Sequence, residues 1–188
     1  MARRSLKHLS RRPLRTTDLT RALTDSTKMP DQALALLDAT MVERMLERVI
    51  LSRMTRLKRT QRRELFDGLG PLSSFSAKIK MAYALAILGP KAMADFEIIK
   101  DVRNAFAHSF HPLTFARKEI AAYCNRLYAP KRVSGLGVTP SAQPWPPTEP
   151  RNQYHMSCWI YFVGLGGKKA NGPRPKRSRD SVSRHLLS

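Results

Sequence analysis

The sequence predicts an all-α protein, a compact bundle of about five or six helices with disordered basic tails. Apolar side chains recur at three- and four-residue steps through most of residues 31–165, as on the buried face of a helix. No segment of useful length alternates apolar and polar residues in the way a strand does. Glycine and proline interrupt the periodic segments where helices would begin and end.

Composition and periodicity divide the chain into five segments. A chain of 188 residues is long enough for one domain of ordinary size and not comfortably for two. We expect a basic disordered N-terminal segment, a helical domain, a Pro-rich loop, a closing helix and a basic disordered tail. In that order, they cover residues 1–30, 31–128, 129–150, 151–166 and 167–188.

The first long helix is predicted to open at Asp31, as a helix cap or a first-turn acid. Its apolar stripe faces the core, while Glu43 and Glu47 form a like-charge pair whose cost is softened by neighbouring arginines. The helix is predicted to end in the strongly basic residues 53–63, where cations complement the negative end of the helix dipole. A nucleic-acid-binding face is the alternative interpretation of the same cations.

A shaped loop precedes the second helix. Gly68 and Gly70 permit positive φ and Pro71 fixes the next φ, so the loop is predicted to be tight. Ser73 or Ser74 is predicted to cap the helix that follows. The predicted buried stripe of that helix comprises Phe75, Ile79, Ala82, Tyr83, Ala86 and Ile87.

Three cations near this helix are candidates for contact with an anion or a partner. Lys78 lies beside the apolar stripe, where its ordinary role is to snorkel and its functional role would be to bind an anion. Arg62 and Arg63, in the basic end of the first helix, are the other two candidates.

Gly89 and Pro90 separate the second helix from the third, with Gly just past one end and Pro just inside the next start. The third helix opens with residues 91–94, KAMA, whose side chains offer almost no hydrogen bonds to base edges. The two helices are therefore predicted to be an antiparallel pair in a bundle rather than a DNA-reading motif. A further amphipathic helix is predicted at residues 115–127, after a break at His111.

The net charge of +20 lies mostly at the two ends of the chain. Residues 1–30 carry +6 and residues 131–188 carry +8, so fourteen of the twenty charges lie outside the predicted core. Such tails attract nucleic acid without reading its sequence, and the alternative is that they only keep the protein soluble.

Cysteine and histidine usage excludes several classes of site. Two cysteines, Cys124 and Cys158, make no disulfide framework, which fits a reducing compartment. The close pair His108 and His111 lacks a third ligand, so we predict no metal site and no cofactor. The longest apolar runs are too short to span a bilayer, so we expect a cytoplasmic protein without a membrane partner.

Arg103, Asn104 and His108 are the residues that could form a catalytic set. Asn104 and His108 are four apart, so a helix places them on one side, with Arg103 next to them. A histidine could move the proton of a ribose hydroxyl or leaving group, and an arginine could hold the phosphate. In the structural alternative, both cations complement the dipole at a helix end and Asn104 bonds to a loop carbonyl.

Residues 66–109 resemble the mannitol operon repressor family. The similarity is dense at residues 66–68, 70–72, 75–79, 82–84 and 99–109, and it is thinner back to Asp31 and on to Leu127. Its structural motif comprises Gly68, Gly70, Pro71, Phe75 and Ser76. The resemblance implies an all-helical domain and a role in transcriptional regulation through a protein partner, with a transcription factor as one candidate and a homodimer as another assembly.

The pattern Arg-Asn-x-x-x-His also resembles a short motif of the HEPN superfamily of helical nucleotide-binding and ribonuclease domains. Arg103, Asn104 and His108 match it. This second resemblance implies, as the alternative function, a metal-independent endoribonuclease acting at a dimer interface. The Pro-rich insert before Trp159 and the basic tails depart from both families.

Overall fold

Seven helices and no strand make up the described part of the chain, which in this computed structural model is residues 28–134 and 148–166. The helices are α1 (Asp31–Arg53), α2 (Arg59–Phe66), α3 (Phe75–Ala84), α4 (Pro90–His108), α5 (Lys118–Cys124), α6 (Ala129–Ser134) and α7 (Pro150–Gly166). The predicted all-α bundle is confirmed. The tails that were predicted to be disordered lie almost entirely outside the described residues.

Helix α1 is the central element and packs against α3, α4 and α7. The amide of Gln32 donates to Phe106 O at 3.1 Å, so the start of α1 lies at the end of α4 and the two helices are antiparallel. Asp31 pairs with Arg151, and Asp38 with His155, so α7 runs alongside α1 in the same direction. The buried residues of α1 are Leu34, Ala35, Asp38, Ala39, Val42, Leu46, Val49 and Ile50.

Aromatic rings join the outer helices across the core. The Phe96 ring of α4 lies 6.2 Å from Phe75 of α3 and 4.8 Å from Tyr161 of α7, measured between ring centroids. Phe115, which precedes α5, lies 4.9 Å from Phe106 and 5.2 Å from Tyr154. Large buried rings supply much of the apolar area that drives folding.

The first helix is shorter than the sequence predicts, because α1 ends at Arg53 rather than continuing through the basic residues. Met54 is extended, and α2 begins only at Arg59. Met54 N donates to Leu51 O at 3.3 Å, a three-residue bond that closes the last turn of α1. Asp31 lies in the first turn of α1 and makes no cap hydrogen bond.

Helix α3 ends earlier than predicted. Ala86 has a φ of +53°, Ile87 N donates to Ala82 O at 2.9 Å, and Ala86 N donates to Tyr83 O at 3.0 Å. These two bonds form the Schellman motif that ends many helices. Of the predicted stripe, Tyr83 and Ala86 are exposed rather than buried; Tyr83 lies in the last turn of α3, and Ala86 lies beyond the end of the helix. Pro90 opens α4 as predicted.

The segment after α4 also differs from its prediction. Helix α5 covers Lys118–Cys124 instead of residues 115–127, because Phe115 is held by its ring contacts and by an N–H bond to Asp31 Oδ2 at 2.8 Å. Within α5, Ile120 and Cys124 are buried and Tyr123 is 41% exposed. The predicted Pro-rich loop at 129–150 begins with helix α6, and residues 135–147 lie outside the described part.

Candidate functional site

Arg103, Asn104 and His108 lie in the last turns of α4, which ends at His108. Arg103 Nη1 donates to Asn104 Oδ1 at 3.1 Å. Arg103 and Asn104 are half-buried, and His108 is exposed. The triplet therefore meets solvent at the end of α4, and Arg103 orients the Asn104 amide.

The turn that follows the triplet is fixed in shape and open to solvent. Ser109 Oγ donates to His111 O at 2.7 Å and accepts from His111 N at 3.1 Å. Phe110, between them, is 102% exposed. A large exposed ring thus lies two residues beyond His108 in the chain.

The chemistry available from one copy of the triplet is limited. One imidazole provides a single proton-transfer group, and one guanidinium provides two N–H donors for a phosphate. In-line cleavage of RNA benefits from both an acid and a base. The triplet of one chain therefore provides one of these two proton-transfer groups.

Lys78 is buried, at 5% exposure, and its ammonium is bound by two carboxylates. Nζ lies 2.8 Å from Glu43 Oε1 and 3.3 Å from Glu47 Oε2. Arg62 of α2 reaches the other oxygen of Glu47 at 2.8 Å. The like-charge pair Glu43–Glu47 thus holds Lys78 between α1 and α3. Arg63 is exposed, without an ion pair to any described residue.

The loop between α2 and α3 is shaped by its glycines. Gly68 has a φ of +62°, and a Cβ added at Gly70 would lie 2.4 Å from Glu64 O. Pro71 is exposed, and the next residue, Leu72, is buried.

Ser74 caps α3 by accepting from Ala77 N at 3.1 Å. Phe75 is buried and Ser76 is half-buried, both in the first turn of α3.

Asp95 was not singled out from the sequence, yet it joins three elements. It is 1% exposed and accepts hydrogen bonds from Tyr128 N and Ala129 N, each at 2.8 Å, and from the Tyr161 hydroxyl at 2.7 Å. Burial and the charge of Asp95 raise the pKa of Tyr161, so its hydroxyl stays a donor. Its position was a usable signal, since Asp95 precedes the buried Ile98 and Ile99 of α4 by three and four residues and so shares their face.

Asp38 and His155 form a second connection that the sequence analysis missed. His155 Nδ1 lies 2.8 Å from Asp38 Oδ2 between α1 and α7. Burial raises the pKa of Asp38, against the lowering effect of His155 and Arg151. Asp38 follows Leu34 by four residues, on the buried face of α1. This acid is structural because its carboxylate fastens two core helices.

Cys124 and Cys158 are both free and buried. Burial raises the pKa of the Cys124 thiol to about 12, and it raises the pKa of Cys158 as well. Nucleophilic chemistry requires a thiolate, so neither cysteine is poised as a nucleophile.

A groove of about 210 Å³ lies where the start of α4 meets α6 and α7. Lys91 Nζ donates to the Tyr128 hydroxyl at 3.0 Å, and Ala92 and Met93 pack against the core. The lining residues are Lys91, Ala92, Tyr128, Ala129, Arg132, Ile160 and Tyr161. The first turn of α4, which a DNA-reading motif would place in a groove, is thus engaged with the bundle.

Two kinds of feature are absent from the described residues. Residues 28–134 and 148–166 contain no group of three or more His, Cys, Asp or Glu side chains that could hold a metal ion. No helix in the same ranges is long and apolar enough to cross a membrane.

Comparison with known proteins supplies one structural relative. The fold is similar to that in the X-ray structure of the MtlR–HPr complex from Escherichia coli, with a TM-score of 0.58 and 16% sequence identity. The match covers 78% of this chain and 96% of that chain. No family model and no curated protein sequence matches. The likeness therefore concerns the fold, and it agrees with the fold implied by the resemblance to the mannitol operon repressor family.

Proposed function

We propose that this protein acts in transcriptional regulation through a protein partner and does not read DNA sequence itself. The observation that carries the proposal is the shared fold with MtlR, which was solved in complex with HPr. The resemblance of residues 66–109 to the mannitol operon repressor family supports the regulatory part. The candidate partner is a protein of the HPr type.

The packing of α4 supports the second half of the proposal. In a helix–turn–helix, the first residues of the second helix contact base edges. Here Lys91 is bonded to Tyr128, and Met93 is partly buried against the core. Lys91 is exposed but bonded within its own chain, and Met93 offers no hydrogen bond to a base, so we propose that regulation requires another protein.

A binding measurement tests the proposed partner. The full-length protein is mixed with HPr from its own source organism, and the complex is sized by light scattering and titrated by calorimetry. We expect a stoichiometric complex. An unrelated protein with the same net charge as HPr is the control, because a basic chain attracts acidic proteins non-specifically. Equal binding to HPr and to this control, or no complex at all, would contradict the proposal.

A second candidate function is the metal-independent endoribonuclease, in which Arg103 holds the phosphate, His108 moves the proton and Asn104 positions either group. The observation that favours it is that the exposed Phe110 ring follows the exposed His108 by two residues. A second copy of the chain would cover that ring and bring a second imidazole. The pair would then supply both the acid and the base.

Cleavage of single-stranded RNA in excess EDTA tests this candidate. Wild type is compared with His108→Ala and Arg103→Ala, and with His111→Ala as a matched exposed histidine. The enzyme interpretation predicts a cyclic-phosphate product that is lost in the first two variants and kept in the third. Each variant needs a melting measurement, because losing a cation at a helix end costs about 0.3–1 kcal/mol. Intact RNA with a dimeric wild-type protein would leave the triplet with a structural role.

A further inference from the structure

Six cationic side chains are concentrated in the segment that joins α1 to α2. We call residues 53–63 the basic elbow. Its cations are Arg53, Arg56, Lys58, Arg59, Arg62 and Arg63. All six are exposed, and the elbow contains no acidic residue. Such density produces a strong local positive potential.

The charge of the elbow is scarcely neutralised by its surroundings. Within residues 28–134 and 148–166, Arg62 is the one elbow cation with an ion pair, to Glu47 at 2.8 Å. Glu47 is shared with the buried Lys78 at 3.3 Å. Five cations therefore remain without a carboxylate partner in the described part of the chain.

The elbow is held in place on the folded domain. Arg53 closes α1, and Gln61 Oε1 accepts from Lys58 N at 3.0 Å where α2 begins. Phe66, at the other end of α2, is buried with 5% exposure. Arg59, Arg62 and Arg63 are at three- and four-residue spacing, so they are neighbours on α2.

The composition of the elbow distinguishes between classes of polyanion. Protein interfaces centre on apolar and aromatic side chains, but residues 53–63 contain no aromatic residue, and Met54 and Leu57 are half-buried. Single-stranded nucleic acid is bound largely by stacking its bases on aromatic rings, which the elbow lacks. A dense group of exposed arginines and a lysine suits the phosphates of a duplex.

We propose that the basic elbow is the principal surface on which this protein binds the phosphate backbone of double-stranded nucleic acid, without sequence preference. The inference goes beyond the partner-dependent function and does not rest on it. It places the main duplex contact on the folded domain rather than on the basic tails. A regulator that reads no sequence would in this way stay close to DNA while its partner protein acts.

Two triple variants of the full-length protein with equal changes in charge test the proposal. The elbow variant carries Arg56→Gln, Arg59→Gln and Arg63→Gln, none of which breaks an ion pair among the described residues. The tail variant carries Arg174→Gln, Lys176→Gln and Arg177→Gln. Duplex affinity is measured by fluorescence anisotropy over a series of salt concentrations, after melting curves have shown that both variants are folded.

The dependence of duplex affinity on salt distinguishes binding by the elbow from binding by the tail. Each lost phosphate contact lowers the slope of log affinity against log salt by about 0.9, so the elbow variant should lose about 3 units. The tail variant should lose less than about 1 unit. Equal losses in the two variants would overturn the proposal, because charge alone would then explain binding. An unchanged slope in the elbow variant, tighter binding of wild type to single strands, or equal binding to an acidic polypeptide would also overturn it.

Discussion

At the scale of single residues, Gly70 lies where no side chain fits. An added Cβ would lie 2.4 Å from Glu64 O and 2.6 Å from Leu65 O, both of them backbone atoms at the end of α2. Leu72 N donates to Leu65 O at 2.8 Å, so the loop cannot move away without losing that bond. The close approach explains why this position requires glycine.

We predict that Gly70→Ala lowers the free energy of unfolding by about 1–3 kcal/mol, as overpacking does. Gly89→Ala is the control, because no atom lies within 4 Å of the added Cβ there. The control should stay within about 0.5 kcal/mol of wild type. Urea unfolding followed by circular dichroism measures both. Equal stability of the two variants would show that the loop relaxes freely.

At Ala86 we predict that glycine increases stability, because Ala86 has a φ of +53° in the Schellman motif after α3. A left-handed alanine costs about 1–2 kcal/mol, and the greater freedom of glycine in the unfolded chain offsets about 0.4–1 kcal/mol of the gain. Ala86→Gly should therefore raise stability by about 0.5–1 kcal/mol in urea unfolding. A less stable glycine variant would contradict this account of the helix end.

The sequence was enough to predict a tight loop at the glycines before α3. It was not enough to predict what the buried acids bind. Gly68 and Gly70 follow from backbone sterics, which are local. Asp38 bonds to a residue that is 117 positions away in the chain, and the partners of Asp95 are 33 or more positions away. Their partners depend on the packing of α6 and α7, which no local pattern specifies. An acid on an apolar stripe indicates a buried partner without identifying it.

At the scale of elements, Lys78 fastens α3 to α1 through Glu43 and Glu47. We predict that Lys78→Met costs about 2–3 kcal/mol, because it leaves two neighbouring carboxylates without their shared cation. The cost stays below that of a fully buried pair because the Glu43 and Glu47 side chains are 17% and 19% exposed. Lys80→Met, exposed on the same helix, is the control for chemical denaturation. An unchanged free energy of unfolding in Lys78→Met would show that the ion pairs of Lys78 with Glu43 and Glu47 do not stabilise the fold.

Asp95 fastens the start of α6 to α4. In Asp95→Asn one amide oxygen replaces two carboxylate oxygens, so either Tyr128 N–H or Ala129 N–H loses its acceptor. We predict a loss of about 1–3 kcal/mol and faster hydrogen exchange at those two amides. Asp101→Asn on the same helix is the control, because that carboxylate is largely exposed. Unchanged exchange at both amides would contradict the role assigned to Asp95.

The sequence predicted which helices form more accurately than where those helices begin and end. Apolar periodicity predicted α1, α3 and α4 because each buries a stripe. The end of α1 is set by its closing turn, in which Met54 N donates to Leu51 O, and the start of α5 depends on Phe115 packing against Phe106 and Tyr154. These are local and tertiary effects outside the apolar period, so the periodic pattern alone extended both helices too far.

At the scale of the whole molecule, the sequence was sufficient to predict the fold class. Periodicity and loop chemistry both indicate a helical bundle, and the fold of MtlR agrees. Arg103, Asn104 and His108 lie in the last turns of α4, at a helix end as the sequence predicts, but that they form a functional site stays a prediction. Its role was not found, because one chain with one histidine fits both a catalytic and a structural interpretation. The assembly decides between them, and a single chain does not encode its partner in a local pattern.

Selection from a library of duplexes with a random central sequence tests the central claim most directly, that this protein regulates without reading DNA sequence. The full-length protein is taken through several rounds of binding at fixed salt, and the recovered pool is compared with the starting pool. We predict no enriched sequence, equal affinity for both pools and a steep dependence of that affinity on salt. An enriched motif bound about 10³-fold more tightly than its scrambled counterpart would contradict the claim and show that the chain reads DNA by itself.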